Sequence, residues 1–567
     1  MRKTIKRLGA VLLAMAMAVS VLCTGALAEG TSNSITIKTS SSGHTYEAYQ
    51  VFAGSTSATT NNKTSLGITG WGSGVKANDL VTALTTESEK EDSILKGKFT
   101  NILQKDNTAN GGPVDANSAD AAQNVAASIK NFSDKGEEAK AFAKIVAAHL
   151  SETKTSSTET KTSDVTTGYK IDNLETGYYL VKDEDNTIGA NNHDAYTNYI
   201  MKVVGAVTVE PKSAVPTVKK KIVENKAEKD ATTAKVGDVV NFELTGTLPD
   251  NYADYTKYQY EFHDTLSKGL TYNGDVKVYV KNGKAETELA STSYVVDPTN
   301  KQTTTPTNST AITVKFTDLK ANTVTGANEA TVTISKDSEI IVKYSATLNE
   351  NAVVGEAGNT NTVNLVYSNN PNGTSTGTTK DDKATVYTFQ LNVTKVDGTN
   401  NTTKLAGAKF KLYYETTEGA TVTKHYAAVT TAEGENKDKI TGWTTTETEG
   451  TVLTTDNDGN ITVKGLKEGT YYLEETEAPA GYNKLTAPVK VEITKSDTIS
   501  ELKSVKADDT AGTVAQAVGT ITIANNKGST LPSTGGMGTK LFYTIGGILM
   551  AGAAIVLVVR KRRSDAE

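Results

Sequence analysis

Cysteine is almost missing from this sequence: Cys23 is the only one in 567 residues, and it sits in an apolar N-terminal stretch. A single thiol cannot make a disulfide framework within the chain, and a cysteine-ligated zinc site or a thiol enzyme has little to build on. Histidine is nearly as scarce. His44, His149, His193, His263 and His425 stand singly and far apart, which argues against a histidine metal centre. Proline (10) and tryptophan (2) are few, and 46 glycines follow no three-residue period, so collagen is excluded. A coiled coil and a polytopic membrane protein are excluded too: no heptad pattern runs through the body, and long apolar runs occur only at the two ends. What remains is a chain 37% hydrophobic and 22% charged, rich in threonine, glycine and asparagine, and long enough for several domains.

The ends carry addresses. Arg2, Lys3, Lys6 and Arg7 precede an apolar run from Leu8 to about Val21, and Ala26-Leu27-Ala28 follows. That order of basic, apolar and small residues predicts a secretory signal, residues 1–28, with cleavage after Ala28. Cys23 leaves with it; a lipoprotein reading is poor because Leu22 stands where a small residue is expected. At the other end Leu541 to Val559 is uncharged over 19 residues, and Arg560-Lys561-Arg562-Arg563 follows, which predicts a stop-transfer anchor with the body outside. Just upstream lies Leu531-Pro532-Ser533-Thr534-Gly535. These three parts in order resemble the sorting signal of Gram-positive surface proteins, an LPxTG motif with hydrophobic segment and basic tail, residues 531–567. The resemblance implies that a sortase cleaves between Thr534 and Gly535 and transfers the Thr534 carbonyl to an amine, so that the membrane segment is temporary. The exported body, 506 residues, has 50 basic and 63 acidic side chains, a net charge of −13. Nucleic acid and anionic membrane are disfavoured as partners.

Three modules follow from the patterning. Residues 29–211 read as α+β: strand-like Ile35 to Ile37 and Tyr46 to Phe52, helical spacing over Leu80 to Leu103 and Ser118 to Leu150, then strands at Tyr178 to Val181 and Tyr199 to Val209. Residues 212–386 and 387–530 are almost wholly β, with short alternating runs between Asn, Gly and Thr turns, and both predict β-sandwiches. Asp456-Asn457-Asp458-Gly459-Asn460 is acidic, but its glycine comes too early for a calcium loop and no glutamate follows at the right spacing; a hairpin turn is expected.

In the third module, Tyr471-Tyr472-Leu473-Glu474-Glu475-Thr476-Glu477-Ala478-Pro479-Ala480-Gly481-Tyr482 matches the E-box of collagen-adhesin B-type domains throughout. Strand alternation puts Glu475 on the inward face with Tyr471 and Leu473, Lys395 with Leu391 and Val393, and Asn525 with Ile521 and Ile523. Burial lowers a lysine pKa and raises a glutamate pKa, leaving a neutral amine beside a neutral acid. A buried polar triad held by ordinary hydrogen bonds would satisfy this pattern; the E-box resemblance implies an autocatalytic Lys395–Asn525 isopeptide bond promoted by Glu475. The second module resembles the middle domain of backbone pilins, on Lys220, Asp264 in Phe262 to Leu270, and Asn361 in Asn361 to Pro371. Lys219, Lys221 and Asn359 are alternatives, since a lysine run also marks a solvated strand edge.

Val207-Thr208-Val209-Glu210-Pro211-Lys212 resembles the pilin motif, with Glu210 where a tyrosine is usual. That implies Lys212 as the acceptor of the Thr534 acyl group from the next subunit. Leu174 to Val181 resembles only the start of an E-box strand, and no isopeptide is assigned to the first module. The whole pattern is identified with sortase-assembled Gram-positive pilus backbones: tandem immunoglobulin-like β-sandwiches of collagen-adhesin type after an α+β N-terminal pilin domain. The implied partners are a sortase, identical subunits, accessory pilins and peptidoglycan, with host surface ligands a further class; the location is the cell wall. No cofactor, metal or turnover enzyme is expected. A wall-anchored monomeric adhesin or an accessory basal pilin is the competing reading.

Overall fold

The computed structural model describes residues 33–39, 42–60, 63–132, 136–162, 165–185, 187–188, 193–196, 198–203, 205–209, 215–371, 373–434, 437–528 and 538–564. The chain is mostly β, 46% strand and 15% helix. The signal stretch with Cys23, the pilin-motif residues Glu210, Pro211 and Lys212, and the sorting residues Leu531 to Gly535 lie outside the described residues.

The first module pairs two sheets with three helices. One sheet orders Thr158–Thr162, Val165–Leu174, Asn33–Ile37 and Ala206–Val209; the other orders Lys63–Trp71, Tyr46–Thr60, Gly177–Asp183 and Asn198–Val203. The expected single strand from Tyr199 to Val209 is therefore two strands, and the chain changes sheet at Gly205 between them. Two helical expectations also need correction. The run from Leu80 is helical only over Ala77–Glu89: Lys90 is already extended and Gly97 takes φ 72°, so Leu95, Phe99 and Ile102 reach the core from turns and bends rather than from a continuing helix. The run from Ser118 divides into Ala119–Ile129 and Glu137–Ala148, with Gly136 as extended N-cap of the second helix. Ser118 caps the first as expected, accepting from the Ala121 amide at 3.2 Å. Leu80, Leu84, Val125, Phe142 and Val146 meet in the core with Phe99, whose ring stacks on Phe142.

The middle module is a two-sheet sandwich around a core from Val218 to Val386. The first strand, Val218–Glu224, lies beside Val239–Thr247, which pairs in turn with Glu339–Leu348. The opposite sheet brings together Asp382–Tyr387, Asn359–Ser368, Tyr260–Leu266 and Thr310–Phe316. In the third module the first strand, Phe389–Asp397, pairs in parallel with the last, Val518–Asn525, in the register Lys395 to Ile523. The facing sheet holds Lys409–Glu418 beside the E-box strand Gly469–Glu477. Asp456 to Asn460 is a turn, closed by the Asp456 carboxylate on the amides of Asp458 and Asn460 and by Gly459 at φ 71°. It is not a hairpin: Leu453–Thr454 before it and Asn460–Leu466 after it pair in different sheets, so the turn carries the chain across the sandwich.

The modules are joined by specific contacts. Val236 packs into the third-module core and accepts from the Trp443 indole at 2.8 Å, while Lys467 pairs with Asp238 at 2.8 Å. Between the first two modules, the Tyr196 amide donates to the Asn369 carbonyl at 2.9 Å. The segment holding Tyr196 is fixed by a buried charge group that the scattered histidines did not suggest: His44 lies 2.8 Å from Asp183 and 3.2 Å from Asp194, its ring stacked on Tyr46. Burial alone would lower its pKa, but the two carboxylates outweigh that and raise it to about 9. Because the folded value lies above the unfolded one near 6.5, this stabilisation is complete below pH 6.5 and is lost as pH rises through 9. Urea unfolding should therefore show the wild type losing stability between pH 6.5 and 9, and His44→Gln, less stable at pH 6, should be flat over that interval.

Candidate functional site

Lys395, Glu475 and Asn525 arrive from three strands into one core and are 0–2% exposed. Alternation puts each inward, as Leu391, Val393, Tyr471, Leu473, Ile521 and Ile523 are buried on the same faces. Lys395 and Asn525 come from the neighbouring parallel strands, and Glu475 from the facing sheet. The Lys395 ammonium donates to Asn525 Oδ1 and lies 3.5 Å from Glu475 Oε1. Asn525 Nδ2 donates to both Glu475 oxygens, at 2.9 and 3.1 Å, and the Leu485 amide holds Glu475 Oε2 at 2.8 Å. Nucleophile, carbonyl and acid thus form a closed triangle. Burial, partly offset by Glu475, lowers the Lys395 pKa to about 8. At pH 7 roughly one molecule in ten then carries the neutral amine, against fewer than about one in a thousand for a solvated lysine.

The E-box tyrosine Tyr482, outside the inward set, donates to the buried Asp397 carboxylate at 2.9 Å, two residues beyond Lys395. Asp397 had no role in the sequence reading. Its signal was only a charge continuing the first strand past Lys395.

The middle module brings its three residues together differently. Lys220 is fully buried, whereas Lys219 is exposed and Lys221 pairs at the surface with Asp230. Lys220 Nζ donates to Asp264 at 2.8 and 2.9 Å, and burial, opposed by Asp264, lowers its pKa to about 8. Asn361 is equally buried, but its amide nitrogen donates to the Tyr344 hydroxyl at 2.5 Å, and its Oδ1 has no hydrogen-bond partner among the described residues. Tyr344 is the residue that sequence reasoning missed. Its hydroxyl also accepts from Lys220 Nζ at 3.0 Å and donates to Asp264 Oδ2. The available signal was a lone tyrosine among the aliphatic inward positions Ile340, Val342, Ala346 and Leu348, since a buried hydroxyl requires a partner.

Asn359 is spoken for. Its side chain accepts from the Val353 amide at 2.8 Å and donates to the Val353 and Val386 carbonyls, both at 3.1 Å, which ties the loop before this strand to the next strand.

Three family matches fall on these modules: the Gram-positive pilin backbone subunit 2, Cna-B-like domain over residues 236–371, the SpaA prealbumin-like fold domain over 389–508, and the LPXTG cell wall anchor motif over 523–566. The trypsin-resistant surface T6 protein of Streptococcus pyogenes serotype M6 is 27% identical over 419 residues, 66% of this chain and 73% of that protein. The fimbrial subunit type 1 of Actinomyces viscosus is 30% identical over 253 residues, 40% of this chain and 44% of that one. Among solved structures, the group B streptococcus pilus 2b backbone protein is 26% identical, covering 55% of this chain and 99% of its own, with a TM-score of 0.37. The anchor motif and the apolar helix Gly538–Ser564, whose span Leu541–Arg563 is long and apolar enough to cross a membrane, fit a cell-surface protein of wall-anchored type. The domains narrow that class: the chain carries a Gram-positive pilin backbone Cna-B-like domain and a SpaA prealbumin-like domain, and is homologous to the T6 protein.

The packing against Asn359 is testable at Gly269, where an added Cβ would lie 2.1 Å from Asn359 Oδ1 and 2.9 Å from Ala352 Cα. Gly269→Ala should cost about 1–3 kcal/mol in urea unfolding, with no change in the exposure of Lys221.

Proposed function

We propose that this chain is the backbone subunit of a sortase-built pilus, joined head to tail by a bond from the Thr534 carbonyl to Lys212 Nζ of the next subunit and stiffened by Lys395–Asn525 and Lys220–Asn361 bonds within each subunit. The observation that carries the stiffening is the closed, buried triangle of Lys395, Glu475 and Asn525. A lysine placed there has no solvent to hold its charge, so its neutral, nucleophilic form is favoured beside an amide that a carboxyl group already grips. The amine lone pair attacks Asn525 Cγ, the Cγ–Nδ2 bond breaks, and the nitrogen leaves as ammonia after protonation through Glu475. One covalent bond forms per pair and none turns over, so the chemistry belongs to maturation.

The head-to-tail linkage rests on the sorting motif, on the LPXTG anchor match and on the position of Lys212 between two folded parts. The strand Ala206–Val209 lies in parallel against Asn33–Ile37, and Val215 already packs on the middle core, so in the sequence Lys212 falls between the last described strand of the first module and the start of the second. A sortase, identical subunits, accessory pilins and peptidoglycan are the partners this reading needs.

Intact mass of the secreted chain should be two ammonias below the value from its sequence, and Asn525→Ala or Lys395→Ala should restore one of them and lose roughly 4–5 kcal/mol of stability on the chain-entropy estimate. A wild-type mass equal to the unmodified sequence would sink the intramolecular bonds. Polymerisation is read separately, on boiled, muramidase-released wall material: a high-mass ladder in wild type should collapse to monomer in Lys212→Ala. A ladder in both moves the acceptor elsewhere, and a single wild-type band turns the protein into an anchored monomeric adhesin.

A further inference from the structure

The two lysine sites differ in one respect that the shared chemistry does not explain. In the third module the acid touches both reactants directly. In the middle module the hydrogen bonds of Asp264 go to Lys220 and to Tyr344, and among the described residues the Asn361 side chain is held by Tyr344 alone. Aspartate is one methylene shorter than glutamate. The Tyr344 hydroxyl fills that gap, touching Lys220 Nζ, Asp264 Oδ2 and Asn361 Nδ2 at once.

From this we infer that Tyr344 is a catalytic residue of the middle-module bond, carrying the proton from Asp264 to the departing nitrogen of Asn361. The inference rests on the reading that Lys220 and Asn361 become linked. The steps balance as follows. Asp264 takes one proton from the Lys220 ammonium, and the freed lone pair forms the Nζ–Cγ bond to Asn361. Asp264 then passes a proton to the Tyr344 oxygen as Tyr344 gives its own to Nδ2. The Cγ–Nδ2 bond breaks, ammonia leaves, and the surplus proton on the new amide nitrogen returns to Asp264. Tyr344 ends as it began, and the net change is one ammonium, one carboxylate and one primary amide converted to one secondary amide, ammonia and a protonated Asp264.

The position suits that role. The ring is held by stacking on Phe242 at 5.5 Å and by an edge contact with Tyr272 at 5.9 Å, so the hydroxyl has one place to be. Burial, reinforced by the Asp264 charge, keeps the phenol well above its ordinary pKa, so it stays protonated and available to donate. A phenol that only filled space would not need its oxygen within reach of all three partners.

The test is cell-free synthesis of the full exported chain, quenched in denaturant at intervals, with each bond followed by mass after proteolysis. Tyr344→Phe keeps the ring and removes the relay, so the Lys220–Asn361 bond should form about a hundredfold or more slowly while the Lys395–Asn525 bond in the same molecules keeps the wild-type rate. Asp264→Glu added to Tyr344→Phe lengthens the acid toward Asn361, as in the third module, and should recover the bond. Lys220→Ala supplies the melting profile of a folded, unlinked middle module, which the Tyr344→Phe chain should match. Equal rates in wild type and Tyr344→Phe overturn the relay and leave the bond standing. Slow formation that Asp264→Glu does not recover, or a melting profile below that of Lys220→Ala, reduces Tyr344 to packing and also overturns it. A wild-type middle module that keeps its ammonia removes the bond and the relay together.

Discussion

A lysine amine with no water around it is the constraint from which the two C-terminal modules are built. Lys220 and Lys395 are fully buried, and an isolated ammonium in such a place would be prohibitively costly. The sandwich must therefore supply an acid within reach, hold it with other hydrogen bonds, and surround the pair with apolar side chains. Phe410 lies 5.6 Å from the Lys395 ammonium and Phe242 5.1 Å from that of Lys220, so each amine has an aromatic face on one side and a carboxylate on another. The pair is poor stabilisation by itself, since desolvation offsets most of the attraction. In the proposed bonds its use would be chemical: the same desolvation that makes the ammonium costly favours the neutral, nucleophilic amine.

The two modules meet this constraint with different sheets. In the third, lysine and asparagine stand on adjacent parallel strands, the first and the last of the module. In the middle, Lys220 belongs to one sheet and Asn361 to the other, so the proposed link would cross the sandwich. Either tie shortens the path that tension would follow. Force entering at Phe389 would reach Lys395, pass to Asn525 and leave, so the folded chain between them carries none; force entering at Val218 would bypass the residues between Lys220 and Asn361 in the same way. If subunits join at Lys212, the first module hangs beside that path altogether. Its cohesion then needs only noncovalent means, among them the buried His44 group, which would be too weak for a loaded element and is sufficient for an unloaded one.

How much of this could be read in advance depended on distance along the chain. Period-two alternation was enough to turn Lys395, Glu475, Asn525 and Lys220 inward, and the lysine run around Lys220 resolved once burial chose one of three. The E-box signalled the acid strand, and the apolar C-terminal stretch with its basic stop signalled the helix Gly538–Ser564. Local readings failed where a local signal had two tertiary outcomes. The turn at Asp456 to Asn460 has the composition of a hairpin, yet its flanking strands go to opposite sheets; Ser118 to Leu150 has one continuous helical stripe, yet the core receives it as two helices.

The sequence by itself determined that Lys220, Lys395, Glu475 and Asn525 turn inward, where the anchoring segment stands, and that one cysteine cannot close a disulfide within the chain. Tertiary structure alone decided who meets whom. A period of two says that a side chain is buried but not which strand lies across from it, and no pattern within Glu339–Leu348 announces that Tyr344 will come to rest between Lys220, Asp264 and Asn361. That meeting is set by the packing of two whole sheets, whose pairing is chosen by the sum of their buried faces rather than by any one residue.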